Sequence, residues 1–370
     1  MIPWWKQDLG DAEVEAVTRA IRERHINQGP VCRELEQRLA GQLGVPHVVA
    51  VSNGSQALLM ALLACGVGPG DEVIVPAFTF IASAHAVLLL GASVRLVDVR
   101  RDRPLIDVDR IEAAITKKTK VIMPVHLNGR ACDMAAINAV AARHGLRVVE
   151  DAAQAFCSRG PAGWLGTQAD AGTFAMDMVK LMTTGEGGFI AVRDEELYTR
   201  LIRLRNQGVL PSASRVFDAF GFNFKFPDVL AAIGLAQASR LERRMQAVRE
   251  VYRRYEGGLA DLGFVRLLPV RTGAGELPMW VEVLSAERDR VEALLKQEGI
   301  TTVPLPPCLA ESGHLRAAGM FPNATFYGRH GLVLPCGPDQ PPEAIDRVIE
   351  ALHGMAAKIR GRPEPGGEDA

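Results

Sequence analysis

Lys180 lies between an apolar, strand-like run, Ala171 to Met176, and the turn Thr183-Thr184-Gly185-Glu186-Gly187-Gly188, and the acidic strand end Val148-Val149-Glu150-Asp151 stands about thirty residues upstream. That order suggests an amine presented at a pocket with a carboxylate fixed nearby. A desolvated lysine can lose its proton and form a Schiff base with a carbonyl compound, pyridoxal 5'-phosphate (PLP) included. The chain has eight lysines among its 42 basic residues. Lys117, Lys118 and Lys120 cluster at a helix end, and Lys296 and Lys358 fall on amphipathic patterns, so these read as surface. Lys180 does not.

Other residues could serve the same chemistry, each with a plainer reading beside it. Asp151 could pair with a cationic ring nitrogen and keep it protonated, or it could cap a following helix. Asn53-Gly54-Ser55-Gln56 ends a strand and opens a helix, whose free N–H groups and positive end could hold a phosphate. An ordinary N-cap by Asn53 or Ser55 is the commoner meaning of that motif. Phe80 could stack on a planar ring, although an aromatic at a strand-to-helix junction is more often core. The glycines from 185 to 188 alone mean only a tight turn. Of eight histidines, His126 and His314 are the two to watch, but none has metal-ligand spacing, so structural roles and no metal site are expected. There is no G-x-S-x-G, no persuasive Ser/His/Asp set and no G-x-G-x-x-G or G-K-[ST] after a strand.

The elements that must position these residues follow a βα rhythm. An amphipathic helix at about Asp11 to Arg24 precedes strands at Val48–Val51, Glu72–Val75, Val94–Val97, Val121–Val125 and Arg147–Val149. Helices are expected near 55–66, 79–90, 108–116 and 134–144. Near-continuous apolar strands predict a parallel sheet covered on both faces, with ligands at the carboxyl ends of its strands. Beyond Gly188 come a strand at Phe189–Val192, a helix to about Arg205 and a polar loop from Asn206 to Ser214. One long helix is expected from Pro227 to about Tyr255, connecting domains or subunits. A strand at 277–284 and helices at 286–298 and 343–356 belong to a smaller C-terminal domain. The expected division is a large domain over 1–250, a small one over 251–360 and a disordered tail over 361–370.

With 370 residues the chain is long enough for two domains, and 42 basic against 43 acidic residues leave no field to hold nucleic acid or an anionic membrane. The partners expected are small molecules. Six cysteines without a C-x-x-C pair point to reduced thiols rather than disulfides or zinc. The amino terminus lacks the pattern of a secretory signal, and no run nears the roughly 20 apolar residues of a membrane span. A soluble cytoplasmic protein is expected.

Taken together, the chain from Ile2 to about His353 resembles the fold type I, PLP-dependent sugar aminotransferases of the DegT/StrS family. The specific stretches are Glu150-Asp151-Ala152-Ala153-Gln154-Ala155, Lys180 with Thr183 to Gly188, and Gly221-Phe222-Asn223-Phe224-Lys225-Phe226. The resemblance implies an α/β fold: a large domain with a mainly parallel central sheet flanked by helices, plus a smaller C-terminal α/β domain. It implies that Lys180 forms the Schiff base with PLP and shuttles the proton, that Asp151 binds the pyridine nitrogen and that Gln154 contacts the ring hydroxyl side. Phe80 would stack on the ring, and Gly54 and Ser55 would hold the phosphate. Asn223 would reach the phosphate across a dimer interface, which makes the protein a homodimer with shared active sites.

The implied reaction moves an amino group from glutamate or glutamine to a keto-sugar, nucleotide-linked in the first reading. An acceptor that is a cyclitol or another non-nucleotide ketone is the alternative. Sugar dehydratases of this fold replace the lysine with histidine, so Lys180 argues against that class, and the retained lysine, aspartate and glutamine argue against a non-catalytic role. The chain departs from the family pattern in three places. Ala175 stands where a phosphate-binding serine is usual, Asp177-Met178-Val179 replaces a segment that commonly opens His-Pro, and Val303-Pro304-Leu305-Pro306-Pro307-Cys308 lacks the usual tyrosine and histidine.

Overall fold

A computed structural model describes residues 1–210, 217, 219–315 and 318–360. In chain order its strands begin with β1 (His47–Val51), β2 (Glu72–Pro76), β3 (Ser93–Val97), β4 (Thr119–Ile122) and β5 (Arg147–Asp151). There follow the short hairpin of β6 (Arg159–Gly160) and β7 (Gly163–Trp164), then β8 (Ala171–Ala175) and β9 (Gly188–Val192). The C-terminal part adds β10 (Arg266–Leu267), β11 (Val281–Leu284), β12 (Val303–Pro304) and β13 (Gly331–Leu334).

The helices are α1 (Asp11–Arg22), α2 (Pro30–Leu43), α3 (Gly54–Ala64), α4 (Ala82–Leu89), α5 (Ile111–Ala114) and α6 (Met134–His144). After these come α7 (Glu195–Arg205), α8 (Asp228–Ser239), α9 (Leu241–Gly258), α10 (Arg288–Gln297), α11 (Pro322–His330) and α12 (Pro342–Arg360). Asn53, Asp133 and Asp194 start α3, α6 and α7 by accepting an N–H of the first turn, while Gly44 and Gly145 end α2 and α6 in the left-handed conformation.

The central sheet has seven strands in the order β1-β9-β8-β5-β4-β2-β3. Only β9 runs against the others, so the expectation of a mainly parallel sheet holds, with one reversed strand. Every residue of β8 and β9 is buried, as strands covered on both faces require. A second sheet, order β10-β11-β13-β12, is wholly antiparallel. The carboxyl ends of β1, β2, β5 and β8 deliver Asn53, the Phe78 to Phe80 turn, Asp151 and Ala175 to one rim.

The amino-terminal segment joins the two sheets. Ile2 pairs with Ile300 and Trp5 with Cys336, both in the C-terminal part, before the chain turns back to the large sheet at Gln7 and Asp8. One hydrophobic cluster accordingly runs from Ile74, Phe78 and Ile122 through Tyr252 to Val281 and Leu332.

The structure corrects several sequence expectations. The long helix from Pro227 to Tyr255 is two helices, α8 and α9, with a break at Arg240 (φ −111°, ψ 15°). The Ser239 hydroxyl donates to the Ala236 carbonyl, and the Arg240 guanidinium turns to Asp8 and Glu13, so the helical path is given up there. Helices α2 and α11, the hairpin β6–β7 and strands β12 and β13 had no counterpart in the sequence reading. The segment 108–116 is only a 3₁₀ turn and one turn of helix. All six cysteines are buried and unpaired. Among the described residues no helix is long and apolar enough to cross a membrane and no cluster of three or more His, Cys, Asp or Glu could hold a metal. The tail 361–370, and the loop beyond Leu210 as far as Ser214, lie outside the described residues.

Candidate active site

A cavity of about 760 Å³ opens between the rim of the central sheet and the small sheet, and Gly54, Ser55, Phe80, Asp151, Gln154 and Lys180 all line it. Trp4, Asp177, Glu186, Trp280 and Glu282 complete its polar and aromatic wall.

Lys180 sits in the turn after β8, its side chain only 11 % exposed. Its Nζ lies 3.5 Å from Asp177 Oδ2 and 5.1 Å from the centroid of the Trp280 ring. The turn is held from outside: Gln7 donates to the Lys180 carbonyl at 2.8 Å, and the buried Arg244 donates to the Leu181 carbonyl at 2.7 Å. Burial lowers Arg244 to a pKa of about 10, and Asp8 works against that shift.

Asp151 ends β5 and is buried. Its Oδ2 accepts the Ser83 hydroxyl at 2.7 Å and its Oδ1 accepts the Ala153 N–H at 3.1 Å. No helix follows it, so the helix-cap reading fails. Burial raises the Asp151 carboxyl above its ordinary value, against the lowering effect of the Ser83 and Ala153 donors and the nearby Lys180 charge. A cation placed against Asp151 would favour the carboxylate further.

Asn53 is the N-cap of α3: its Oδ1 accepts the Gln56 N–H at 2.8 Å. Helix geometry leaves the N–H groups of Gly54 and Ser55 without intrahelical partners, so the positive end of the helix could hold an anion. A side chain on Gly54 would put its Cβ 2.7 Å from that of Ala175, so glycine is needed where β8 passes the helix start. Phe80 is 60 % exposed, whereas Phe78, two residues earlier, fills the core. The core reading of Phe80 is therefore excluded. Gln154 Oε1 accepts the Asn128 N–H at 2.9 Å, which fixes the amide beside the cavity.

Three residues singled out from the sequence lie elsewhere. His126 is structural: the Cys132 N–H donates to its Nδ1, leaving the proton on Nε2 for the buried Glu150 at 2.8 Å. His314 is exposed and meets His85 at 2.9 Å, outside the cavity lining. Asn223 is exposed and outside the cavity lining, with its Oδ1 3.4 Å from the Lys225 N–H. Sequence reasoning missed Ser83, Trp4, Trp280 and Glu282. Ser83 offered a signal, a hydroxyl breaking an apolar helical run; Trp4 and Glu282 come from parts of the chain that no local pattern links to the site.

The residues present fit PLP. An anion site at a helix start, an exposed aromatic face, a buried carboxylate and a sheltered amine border one space, which matches a phosphate, a planar ring, a ring nitrogen and an aldehyde. Fold and cavity together define a PLP-dependent aminotransferase of fold type I. Residues 7–353 match the model of the DegT/DnrJ/EryC1/StrS aminotransferase family, and the chain belongs to that family. It is 40 % identical over 332 residues to GDP-perosamine synthase of Caulobacter vibrioides, covering 86 % of this chain and 88 % of that protein. The GDP-perosamine synthase of Escherichia coli O157:H7 is 33 % identical, covering 95 % and 98 %. Among solved structures, S. venezuelae DesV in complex with a ketimine intermediate superposes with a TM-score of 0.89 at 32 % identity, over 95 % of each chain.

Proposed function

We propose that this protein transfers an amino group from an amino acid, glutamate or glutamine, to a nucleotide-linked keto-sugar, with PLP held on Lys180. The observation that carries the proposal is the convergence of the sheltered Lys180, the buried Asp151 and the open start of α3 on one cavity. The GDP-sugar products named for two relatives support a nucleotide-linked acceptor.

PLP, when bound, supplies an electron sink for the bonds of the amino-bearing carbon. The protein's own groups do the rest. Gly54 and Ser55 would hold the phosphate by their N–H groups and the Ser55 hydroxyl. Asp151 would bind the ring nitrogen and keep it protonated, with Ser83 and Ala153 fixing the carboxylate. Phe80 would cover one ring face, and Gln154 would contact the ring hydroxyl side. Lys180 would hold the cofactor through Nζ and, once released, carry the proton between the substrate carbon and C4′ of the cofactor. Trp280 and Asp177 flank Nζ and limit where it can swing.

Asn223 is exposed, as a residue that reaches a neighbouring subunit must be, and we place it on the phosphate of the partner's site in a homodimer. The division into a large domain over 1–250 and a small one over 251–360, and a cytoplasmic location, complete the reading. A cyclitol or other non-nucleotide ketone is the second acceptor class, favoured by the apolar Val303 to Pro306 segment that lines the cavity.

Purified protein with PLP should show an absorbance band of lysine-bound cofactor that disappears in Lys180→Ala; a band that persists in that variant overturns the assignment. Mass spectrometry of keto-sugar nucleotides and inososes incubated with enzyme, PLP and glutamate then identifies the acceptor by its ketone-to-amine mass shift.

A further inference from the structure

Glu282 lies on β11, is 1 % exposed and lines the cavity. Trp280, in the bend just before β11, lines the same cavity. In register, Glu282 pairs with Val333 and Val333 with Val303, and all of these line the cavity. Glu282 is therefore a single acid in an apolar row.

Its two oxygens differ. Oε2 accepts from the buried Arg130 at 2.6 Å, and Arg130 is itself fixed by the carbonyls of Pro269 at 3.0 Å and Leu268 at 3.2 Å. Oε1 is buried and has no hydrogen-bond partner among the described residues. A carboxylate oxygen withdrawn from water without a donor is costly, and Arg130 is held where it serves only the other oxygen. Glu282 itself lines the cavity, so a ligand bound there is the candidate donor to this oxygen.

We propose that Glu282 is a specificity-determining residue whose Oε1 accepts a hydrogen bond from a hydroxyl group of the amino acceptor. The inference rests on the aminotransferase reading above and assigns the acceptor class more narrowly: a polyhydroxylated ring, with one hydroxyl directed at the small sheet. A site that hydrogen-bonds a substrate hydroxyl also rejects analogues lacking it, because its own acceptor is then left unpaired.

Calorimetric titration of the enzyme loaded with pyridoxamine 5'-phosphate tests this without turnover. GDP-perosamine and GDP are compared as ligands on wild type and on Glu282→Gln, which keeps a carbonyl for Arg130 and puts an amide donor in place of one oxygen. The expected result is an affinity for GDP-perosamine about tenfold weaker in the variant, with affinity for GDP unchanged. Equal affinities for GDP-perosamine in the two proteins, or an equal loss for GDP, would overturn the assignment. A wild type that binds GDP-perosamine no better than GDP counts instead against the nucleotide-sugar reading. The comparison is then made with scyllo-inosamine, where equal affinities, or no binding to wild type, overturn the role of Glu282. Should Glu282→Gln fail to fold, wild type is titrated with analogues lacking one hydroxyl at a time. A tenfold loss for one of them supports the proposal and no loss for any rejects it.

Discussion

The side chain of Gln7 donates to the backbone carbonyl of Lys180 at 2.8 Å, across a sequence separation of 173 residues. The same amide reaches the Met178 carbonyl at 3.2 Å, and its oxygen accepts from the buried Arg244. The reactive amine is thus placed by the amino-terminal segment as much as by its own turn. In Gln7→Ala two carbonyls lose a donor and Arg244 loses an acceptor. Stability should fall by about 1–3 kcal/mol in urea titrations, and kcat by about tenfold, because a lysine misplaced by an ångström carries the proton poorly. Unaltered kcat in the folded variant would show that the turn holds itself.

The hydrogen bond from Ser83 to Asp151 is the shortest the carboxylate makes. Removing it in Ser83→Ala takes away a donor that favours the charged form, so the Asp151 carboxyl rises further and its hold on a ring nitrogen weakens. PLP affinity, read by fluorescence after dialysis, should fall by about tenfold, and Ser83→Thr should restore most of it. Equal PLP affinity in Ser83→Ala and wild type would count against Asp151 as the nitrogen's partner.

Asp151 also makes a prediction about pH. Its folded-state pKa is raised by burial, so the folded protein holds this proton more tightly than the unfolded chain does. Its contribution to stability is therefore greatest at low pH and declines as pH rises from the ordinary carboxylate range through the raised folded value. Asp151→Asn has no such titration. Without cofactor, its stability relative to wild type should grow over that window and level off above it, as urea midpoints at successive pH values would show. A difference that stays constant, or shrinks with rising pH, would contradict the burial argument.

Ala175 packs against the start of α3, where its Cβ crowds the position a Gly54 side chain would take. A hydroxyl added there by Ala175→Ser would stand beside the N–H groups proposed for the phosphate. The variant should bind PLP severalfold more tightly by equilibrium dialysis, with amino transfer retained. Weaker binding would mean that the phosphate does not approach β8.

Gly54→Ala tests the same contact from the other side. Its Cβ would have to displace β8 or the helix start, so PLP affinity should drop by at least tenfold, with a loss of about 1–3 kcal/mol of stability. Wild-type affinity in this variant would remove the phosphate from the start of α3.

What the sequence determined by itself was whatever is written in neighbouring residues. The parallel strands were legible because burial on both faces demands unbroken apolar runs, and α3 and α6 because a cap precedes an apolar helix. Lys180, Asp151 and the Gly54-Ser55 turn stood out because their chemistry follows strand ends, whereas Gln154 was named only through the family resemblance. The break at Arg240 was not legible, since the charges that draw it out of the helix belong to Asp8 and Glu13. Nor were Trp4 and Glu282, whose approach to the cavity depends on how the small sheet and the amino-terminal segment fold over the large one. A residue's type and its immediate neighbours fix which hydrogen bonds it can make; only packing between distant segments decides which of them it does make, and which one, at Glu282 Oε1, no described residue supplies.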